Sequence, residues 1–281
     1  MTSNFDFSNW LSNALNEDVF DGDHSSLACV DPSEIGKAKL LVKESGIIAG
    51  VTVALKILNE FYPKFDIEVF IKDGVKVNVG DVILTLKGPS LKILSIERLV
   101  LNVMQRMSGI ATYTNFLVQK IAHTDTKLLD TRKTTPNFRY FEKLAVKIGG
   151  GVNHRFGLYD MIMLKDNHID YAGGIAKAIS KTHLYLKTNQ KKLKIEIEVR
   201  DLNELKEVLS VGEIDRIMLD NFEIKDIVTG LNLIEGKYET EASGGITEDT
   251  IVKYAECGVD YISVGALTHQ VKSMDLSLKA Y

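Results

Sequence analysis

The spacing of apolar positions changes several times along this chain, and each change predicts a different element. The first ~25 residues are polar with scattered aromatics, a pattern that supports little regular structure. They predict a helix near Trp10 to Leu15 and then a loop, Asp21-Gly22-Asp23-His24-Ser25-Ser26. From Ile47 the pattern turns β-like and mixed. Residues 73–88 alternate Val75, Val77 and Val79, then Ile83 and Leu86, with Gly74, Gly80 and Gly88 as punctuation. That predicts a meander of short strands with a turn at Asn78-Val79-Gly80-Asp81.

Pro89-Ser90 opens a helical pattern running to Ile121, with Ser90 as a suitable N-cap. Ile93, Ile96, Leu99, Val100, Val103, Met104 and Met107 fall at helical spacing. Ser108-Gly109 predicts a break into two helices, a bridge between an N-terminal and a C-terminal domain. The 73–88 stretch resembles one half of a lipoyl-type sandwich. It carries no lysine at a tight hairpin tip, so a swinging-arm carrier is discounted.

After residue 125, short apolar runs end in polar or glycine residues: 127–133, 161–167, 194–200, 216–221, 239–245 and 261–265. Helical patterns lie between them. Phe138 to Ile148 stops at Gly149, Asp201 with Glu204 resembles a capping pair, and a helix is expected from Thr247 to Gly258. Strand–helix alternation predicts a parallel sheet with helices outside, and the short repeat suits βα units closing into a barrel.

In such barrels the strand C-termini hold the site. Here they carry Asp130, Arg132 and Lys133; Lys165 and Asp166; Glu198; Asp220; Ser243-Gly244-Gly245; and Ser263-Val264-Gly265. The two glycine loops can bring backbone N–H groups close to a phosphate. Glu198 and Asp220 end adjacent strands and suit Mg²⁺ or ribose hydroxyls. Glu196 shares a face with Glu198, and burying two carboxylates is costly unless cations pair with them. Arg132, Lys133, His154, Arg155 and Lys165 supply cations near Gly149-Gly150-Gly151.

Composition narrows the class. The chain has 281 residues, 45% apolar and 26% charged, which is ordinary for a globular protein. No apolar stretch is long enough for a membrane span, and the N-terminus lacks the pattern of a secretory signal. Cys29 and Cys257 have no metal spacing and read as lone buried thiols in a reducing, cytoplasmic setting. The net charge is −4, which removes a bulk electrostatic case for nucleic acid. Yet residues 130–168 carry Arg132, Lys133, Arg139, Lys143, Lys147, Arg155 and Lys165 against only Asp130, Glu142, Asp160 and Asp166. A local excess of cations in an acidic protein suggests a site for an anionic small molecule.

Residues 130–169, DTRKTTPNFRYFEKLAVKIGGGVNHRFGLYDMIMLKDNHI, closely resemble the signature of the quinolinate phosphoribosyltransferases. The resemblance continues through IEIEVRDLNEL, IMLDNF, EASGGIT and DYISVGALTH, and reaches back to ERLVLNVMQRMSGIAT. It implies an α+β N-terminal open sandwich domain plus a C-terminal incomplete, TIM-like α/β barrel. The corresponding division is 1–112 for the sandwich and linking helix, 113–267 for the barrel, and 268–281 for a segment returning to the first domain. The implied reaction joins quinolinate to phosphoribosyl pyrophosphate (PRPP) with Mg²⁺ and no prosthetic group. It yields nicotinate mononucleotide, pyrophosphate and CO₂, a step of NAD synthesis. The implied assembly is a homodimer with sites shared between subunits, hexamers of such dimers included. By motif position Arg98 resembles an arginine donated by the partner subunit. Thr131, Arg132, Lys133, His154, Arg155 and Lys165 match the substrate pocket. Glu198 and Asp220 match the acids at ribose and metal, and the two glycine loops match the phosphate sites. Lys133, Lys165, Glu198 and Asp220 are the expected catalytic groups. Asn137 departs from the family, where many members have glycine, and as a turn residue should matter little. Two other readings are a Schiff-base lyase of the aldolase type using Lys165, and a phosphoribosyl-binding paralogue without this activity.

Overall fold

The computed structural model describes residues 5–281. In chain order the elements are α1 (Phe7–Asp18), α2 (His24–Cys29), β1 (Ile35–Val42), β2 (Gly46–Ile47), α3 (Val51–Phe61), β3 (Asp66–Val69), β4 (Lys76–Val77), β5 (Val82–Pro89) and α4 (Ser90–Lys120). There follow β6 (Lys127–Leu129), α5 (Arg139–Ile148), β7 (Ile162–Leu164), α6 (Asp166–Ala172), α7 (Ile175–Thr188), β8 (Ile195–Val199) and α8 (Leu202–Val211). The chain ends with β9 (Arg216–Asp220), α9 (Ile224–Ile234), β10 (Glu239–Ser243), α10 (Ile251–Glu256), β11 (Tyr261–Ser263), α11 (Ala266–His269) and β12 (Leu276–Ala280). No helix among the described residues is long and apolar enough to cross a membrane.

The chain forms two compact units: Met1–Asn115 with Thr134–Gly150 and Leu267–Tyr281, and Phe116–Lys133 with Gly151–Ala266. In the first, an antiparallel sheet runs β12-β1-β5-β3. The C-terminal strand β12 pairs with β1 from Ala38↔Ala280 to Val42↔Leu276, which brings the chain's end back to the first unit. The 73–88 stretch is not a simple meander: β4 pairs with β2, not with β5. The expected turn forms, with Asp81 N–H donating to the Asn78 carbonyl at 3.1 Å, but it is tied to β1. Gly80 N–H donates to Val42 O and Val42 N–H to Asp81 O, so the chain crosses before β5 begins. The N-terminal loop is shorter than expected, because Asp23 caps α2 by accepting the Ser26 N–H at 3.1 Å.

The predicted break in α4 is absent: the helix runs unbroken over 31 residues. Glycine normally costs a helix about 1 kcal/mol. Here Gly109 serves close approach, since a Cβ there would strike the Lys272 carbonyl oxygen. Ser108 turns its hydroxyl to Ala49, accepting its N–H at 2.9 Å and donating to its carbonyl at 3.1 Å. Both residues that read as a break are thus packing contacts.

Residues 134–150 also belong with the first unit, not with the barrel as their position in sequence suggested. Phe141 of α5 packs on Trp10 of α1, with ring centroids 4.4 Å apart, and on Phe7. The buried Glu142 accepts from Arg106 of α4 at 2.9 Å and from the Thr135 N–H at 3.0 Å. Asn137 adopts φ +61°, a left-handed conformation that glycine takes freely and asparagine tolerates, which accounts for the exchange at this turn.

The second unit is a six-stranded sheet in the order β6-β11-β10-β9-β8-β7, every neighbour parallel. All six strands coincide with the apolar runs read from the sequence. β6 and β7 end the order, which makes the sheet an incomplete barrel. Two expectations shift. The helix expected from Thr247 begins at Ile251, because residues 247–250 form a turn closed by Thr250 N–H to the Thr247 carbonyl. The cysteines are free but not buried: Cys29 is exposed and Cys257 intermediate.

Candidate active site

Side chains alternate along a strand, so the parallel register stacks one face of the second unit's sheet in layers. Glu196, Arg216 and Glu239 share one layer. Glu198, Met218 and Glu241 form the next, toward the strand C-termini. Asp220 and Ser243 pair above them, at the C-terminal edge. An interior this polar is expensive to bury unless charges offset one another.

At the upper edge Lys165 Nζ donates to Glu198 Oε2 at 2.7 Å. Lys165 is also the N-cap of α6, with its N–H bonded to His168 Nδ1. An ammonium held on a carboxylate is poorly suited to carbonyl attack, which weakens the Schiff-base reading. Asp220 is half-buried at the end of β9 and accepts from Asn221 Nδ2 at 2.6 Å.

The other cations lie on the connection after β6 and before β7. Thr131 Oγ1 accepts the Lys133 N–H at 3.0 Å, which shapes the turn that presents Arg132 and Lys133. The buried Asp130 accepts the His154 N–H at 2.9 Å and Asn153 Nδ2 at 2.6 Å, pinning the second segment to the first. Arg155 donates to the Met161 carbonyl at 3.2 Å. Burial, then the like charge of Arg132, holds its guanidinium below the usual arginine pKa.

His154 is buried, its Nε2 lying 3.2 Å from Glu196 and 3.3 Å from Glu241. Burial pulls its pKa down, but the two carboxylates outweigh burial and raise it to about 9. The Arg155 N–H against Nδ1 at 2.6 Å opposes the second proton; one N–H dipole is weaker than two full charges. Arg216 closes the cluster, 3.3 Å from Glu241, 3.8 Å from Glu196 and 3.1 Å from Glu239. Burial and the charge of Glu241 raise the Glu196 carboxyl, while His154, Ser263 and Arg216 overcome burial and keep Glu241 low.

The two glycine loops end adjacent strands, β10 and β11. Gly244 and Gly245 have φ of +94° and +59°. A Cβ on Gly244 would collide with the Asn221 side chain, so glycine is required there. Ser263 is buried, and the Val264 N–H bonds to Leu129 O of β6 at 3.0 Å.

Every site residue expected from the sequence except Arg98 lies in the second unit, at or after a strand's C-terminal end, with Arg132 and Lys133 exposed there. Arg98 is exposed on α4, in the first unit. Sequence reasoning missed Arg216, Glu239 and Glu241. The available signal was the alternation Glu239-Thr240-Glu241, the same period that marked Glu196 and Glu198.

Models of the quinolinate phosphoribosyl transferase N-terminal and C-terminal domains match residues 23–108 and 110–279. The chain is 43% identical to quinolinate phosphoribosyltransferase [decarboxylating] 1b of Nicotiana tabacum, over 98% of this chain and 82% of that one. It is 40% identical to a probable nicotinate-nucleotide pyrophosphorylase [carboxylating] of Bacillus subtilis, over 95% and 91%. The crystal structure of NadC from Streptococcus pyogenes superposes with a TM-score of 0.92 at 39% identity, over 99% and 98%. With both domain models matched and the likeness spanning nearly its whole length, the chain belongs to the quinolinate phosphoribosyltransferase family.

Proposed function

We propose that the chain transfers the phosphoribosyl group of PRPP to quinolinate, with loss of CO₂, giving nicotinate mononucleotide and pyrophosphate for NAD synthesis. The observation that carries the site assignment is the pairing of Arg155 with Arg132. After burial, the charge of Arg132 helps hold the half-buried Arg155 guanidinium below its usual pKa, so an anion bound beside these cations would be favoured.

In this reading Thr131, Arg132 and Arg155 grip the two quinolinate carboxylates and aim the ring nitrogen at the ribose carbon, while His154, whose ring nitrogens face Glu196, Glu241 and the Arg155 N–H, backs Arg155 and does not touch substrate. Such orientation is a large part of the rate. The nitrogen lone pair forms the new bond as the carbon–pyrophosphate bond breaks. Glu198 and Asp220 stabilise the positive charge that builds on the sugar, and Lys133 and Lys165 stabilise the negative charge on the leaving group. Once the ring nitrogen is quaternary, the adjacent carboxylate leaves as CO₂. Its electron pair stays on the ring carbon, stabilised by the neighbouring cation, and takes up a proton. Ser243 to Gly245 and Ser263 to Gly265 hold the ribose phosphate through backbone N–H groups and hydroxyls.

Glu198 and Asp220 are hard oxygen donors at the ends of adjacent strands, a pair that suits Mg²⁺ directly or through PRPP. The ion would supply charge neutralisation for the pyrophosphate. The free cysteines suit a reducing compartment, and the cytoplasm is the proposed location. The proposed assembly is a homodimer, able to build hexamers, in which Arg98 serves the partner's site. Incubation with quinolinate, PRPP and Mg²⁺ should give the mononucleotide and one CO₂ per turnover. Absence of both products from folded protein overturns the reading.

A further inference from the structure

Glu241 has no part in the steps above, yet it is fully buried at the centre of the second unit's sheet. Three groups reach its carboxylate: His154 Nε2 at 3.3 Å, Arg216 Nη1 at 3.3 Å, and the hydroxyl of Ser263 as a hydrogen-bond donor. Two explanations that need no function are weak. Charge balance for Arg216 is already supplied by Glu239 at 3.1 Å and Glu196 at 3.8 Å. Metal binding is opposed by that same guanidinium. His154, Glu196 and Glu241 do offer ligand atoms within 4.8 Å of one another, but a cation there would face a fixed positive charge.

What distinguishes Glu241 is whom it joins. His154 accepts the Arg155 N–H on Nδ1 at 2.6 Å and so backs one of the cations proposed to grip the pyridine carboxylates, and Ser263 belongs to the loop proposed to hold the ribose phosphate. In the register Glu241 lies level with Glu198 across Met218, one inward step below Ser243. It therefore sits beneath both proposed substrate positions, touching a residue that backs the one and a residue that lines the other. A buried carboxylate with fixed partners holds them more rigidly than a solvated one, because the low local dielectric strengthens each contact.

We propose that Glu241 is a positioning residue for phosphoribosyl transfer, holding the His154 imidazole and the Ser263 hydroxyl in place from below and so fixing the pyridine and phosphate positions relative to each other. The inference rests on the function proposed above.

The test is steady-state kinetics with both substrates varied, on wild type, Glu241→Gln and Glu241→Asp, with the folded fraction of each measured by circular dichroism and thermal melting. The amide of Glu241→Gln can still accept from Ser263 but carries no charge for His154. Its KM for quinolinate should rise about tenfold and its KM for PRPP less, with kcat also reduced, a size typical of partners lost from behind a binding group. Glu241→Asp keeps the charge but shortens the reach, and should fall between. A merely structural role lowers the amount of active enzyme and hence the apparent kcat, and leaves both KM values alone; that result overturns the proposal. Failure of both variants to fold also overturns it, making Glu241 a folding residue. A wild type that makes no product removes the underlying function instead, and this outcome is separate because it appears before any variant is compared.

Discussion

Lys165 meets Glu198 at 2.7 Å from the end of one strand, and Lys133 follows the end of another. Lys165 is partly exposed, so the pair adds little stability, and the role proposed for it is in the reaction. Lys133→Ala and Lys165→Ala should each lower turnover by roughly 10²-fold while melting temperatures stay near wild type. Near-normal rates from folded Lys165→Ala would make that lysine a structural ion-pair partner only. The cation set bears on specificity too. Nicotinate has one carboxylate fewer, so it leaves a cation of the proposed site unmatched, and quinolinate should be preferred on the order of 10³-fold in kcat/KM. Comparable turnover of nicotinate would contradict that. His154 supplies a pH signature. Its folded pKa of about 9 lies above its ordinary 6.5, so the protonated ring stabilises the fold fully below pH 6.5, and this stabilisation is lost as pH rises through 9. Between these limits the melting temperature of wild type should fall more steeply than that of His154→Gln. Parallel curves would show that the ring does not hold its proton as described.

At the scale of elements, the parallel strands were legible because each pairs a short apolar run with a chemically distinctive end. Lys165, Glu198 and Asp220 could be placed at one edge from that pattern alone. The buried floor was less legible. Glu239 and Glu241 alternate within a run whose glycine loop drew the reading to its far end, and Arg216 looks like any polar residue at a strand start. The continuity of α4 was hidden for a different reason. Ser108 and Gly109 carry a local signal for a break, while their actual partners, Ala49 and Lys272, are distant in sequence. Local propensity of about 1 kcal/mol is readily overridden by such contacts. Gly109→Ala therefore sets two effects against each other. Alanine favours the helix by that amount, but its methyl must push back a backbone carbonyl, and overpacking costs about 1–3 kcal/mol or more. The net effect should be destabilising, a melting point lower by a few degrees. A higher melting point would mean that the 267–281 segment yields easily and that the glycine is not needed.

For the whole molecule, the division into units defeated the linear reading at one place. Residues 134–150 leave the barrel sequence and join α1 and α4 through Phe141 and Glu142, partners more than thirty residues away. Arg98 poses the complementary problem, since it lies on exposed α4 surface in the first unit and the barrel pattern gives it no place. The proposed dimer does, with the guanidinium gripping a substrate carboxylate in the partner's site. That arrangement makes a prediction no single-chain role can imitate. Arg98→Ala and Lys133→Ala subunits should each be inactive alone. When they exchange, each mixed dimer has one site with both lesions and one with neither. Random mixing makes half of the dimers mixed, so activity should return to about one quarter of wild type. The measurement is activity against mixing ratio, with exchange verified by mass-tagged subunits. If exchange is complete and activity stays at the level of the separate mutants, Arg98 acts within its own chain or has no part in the site.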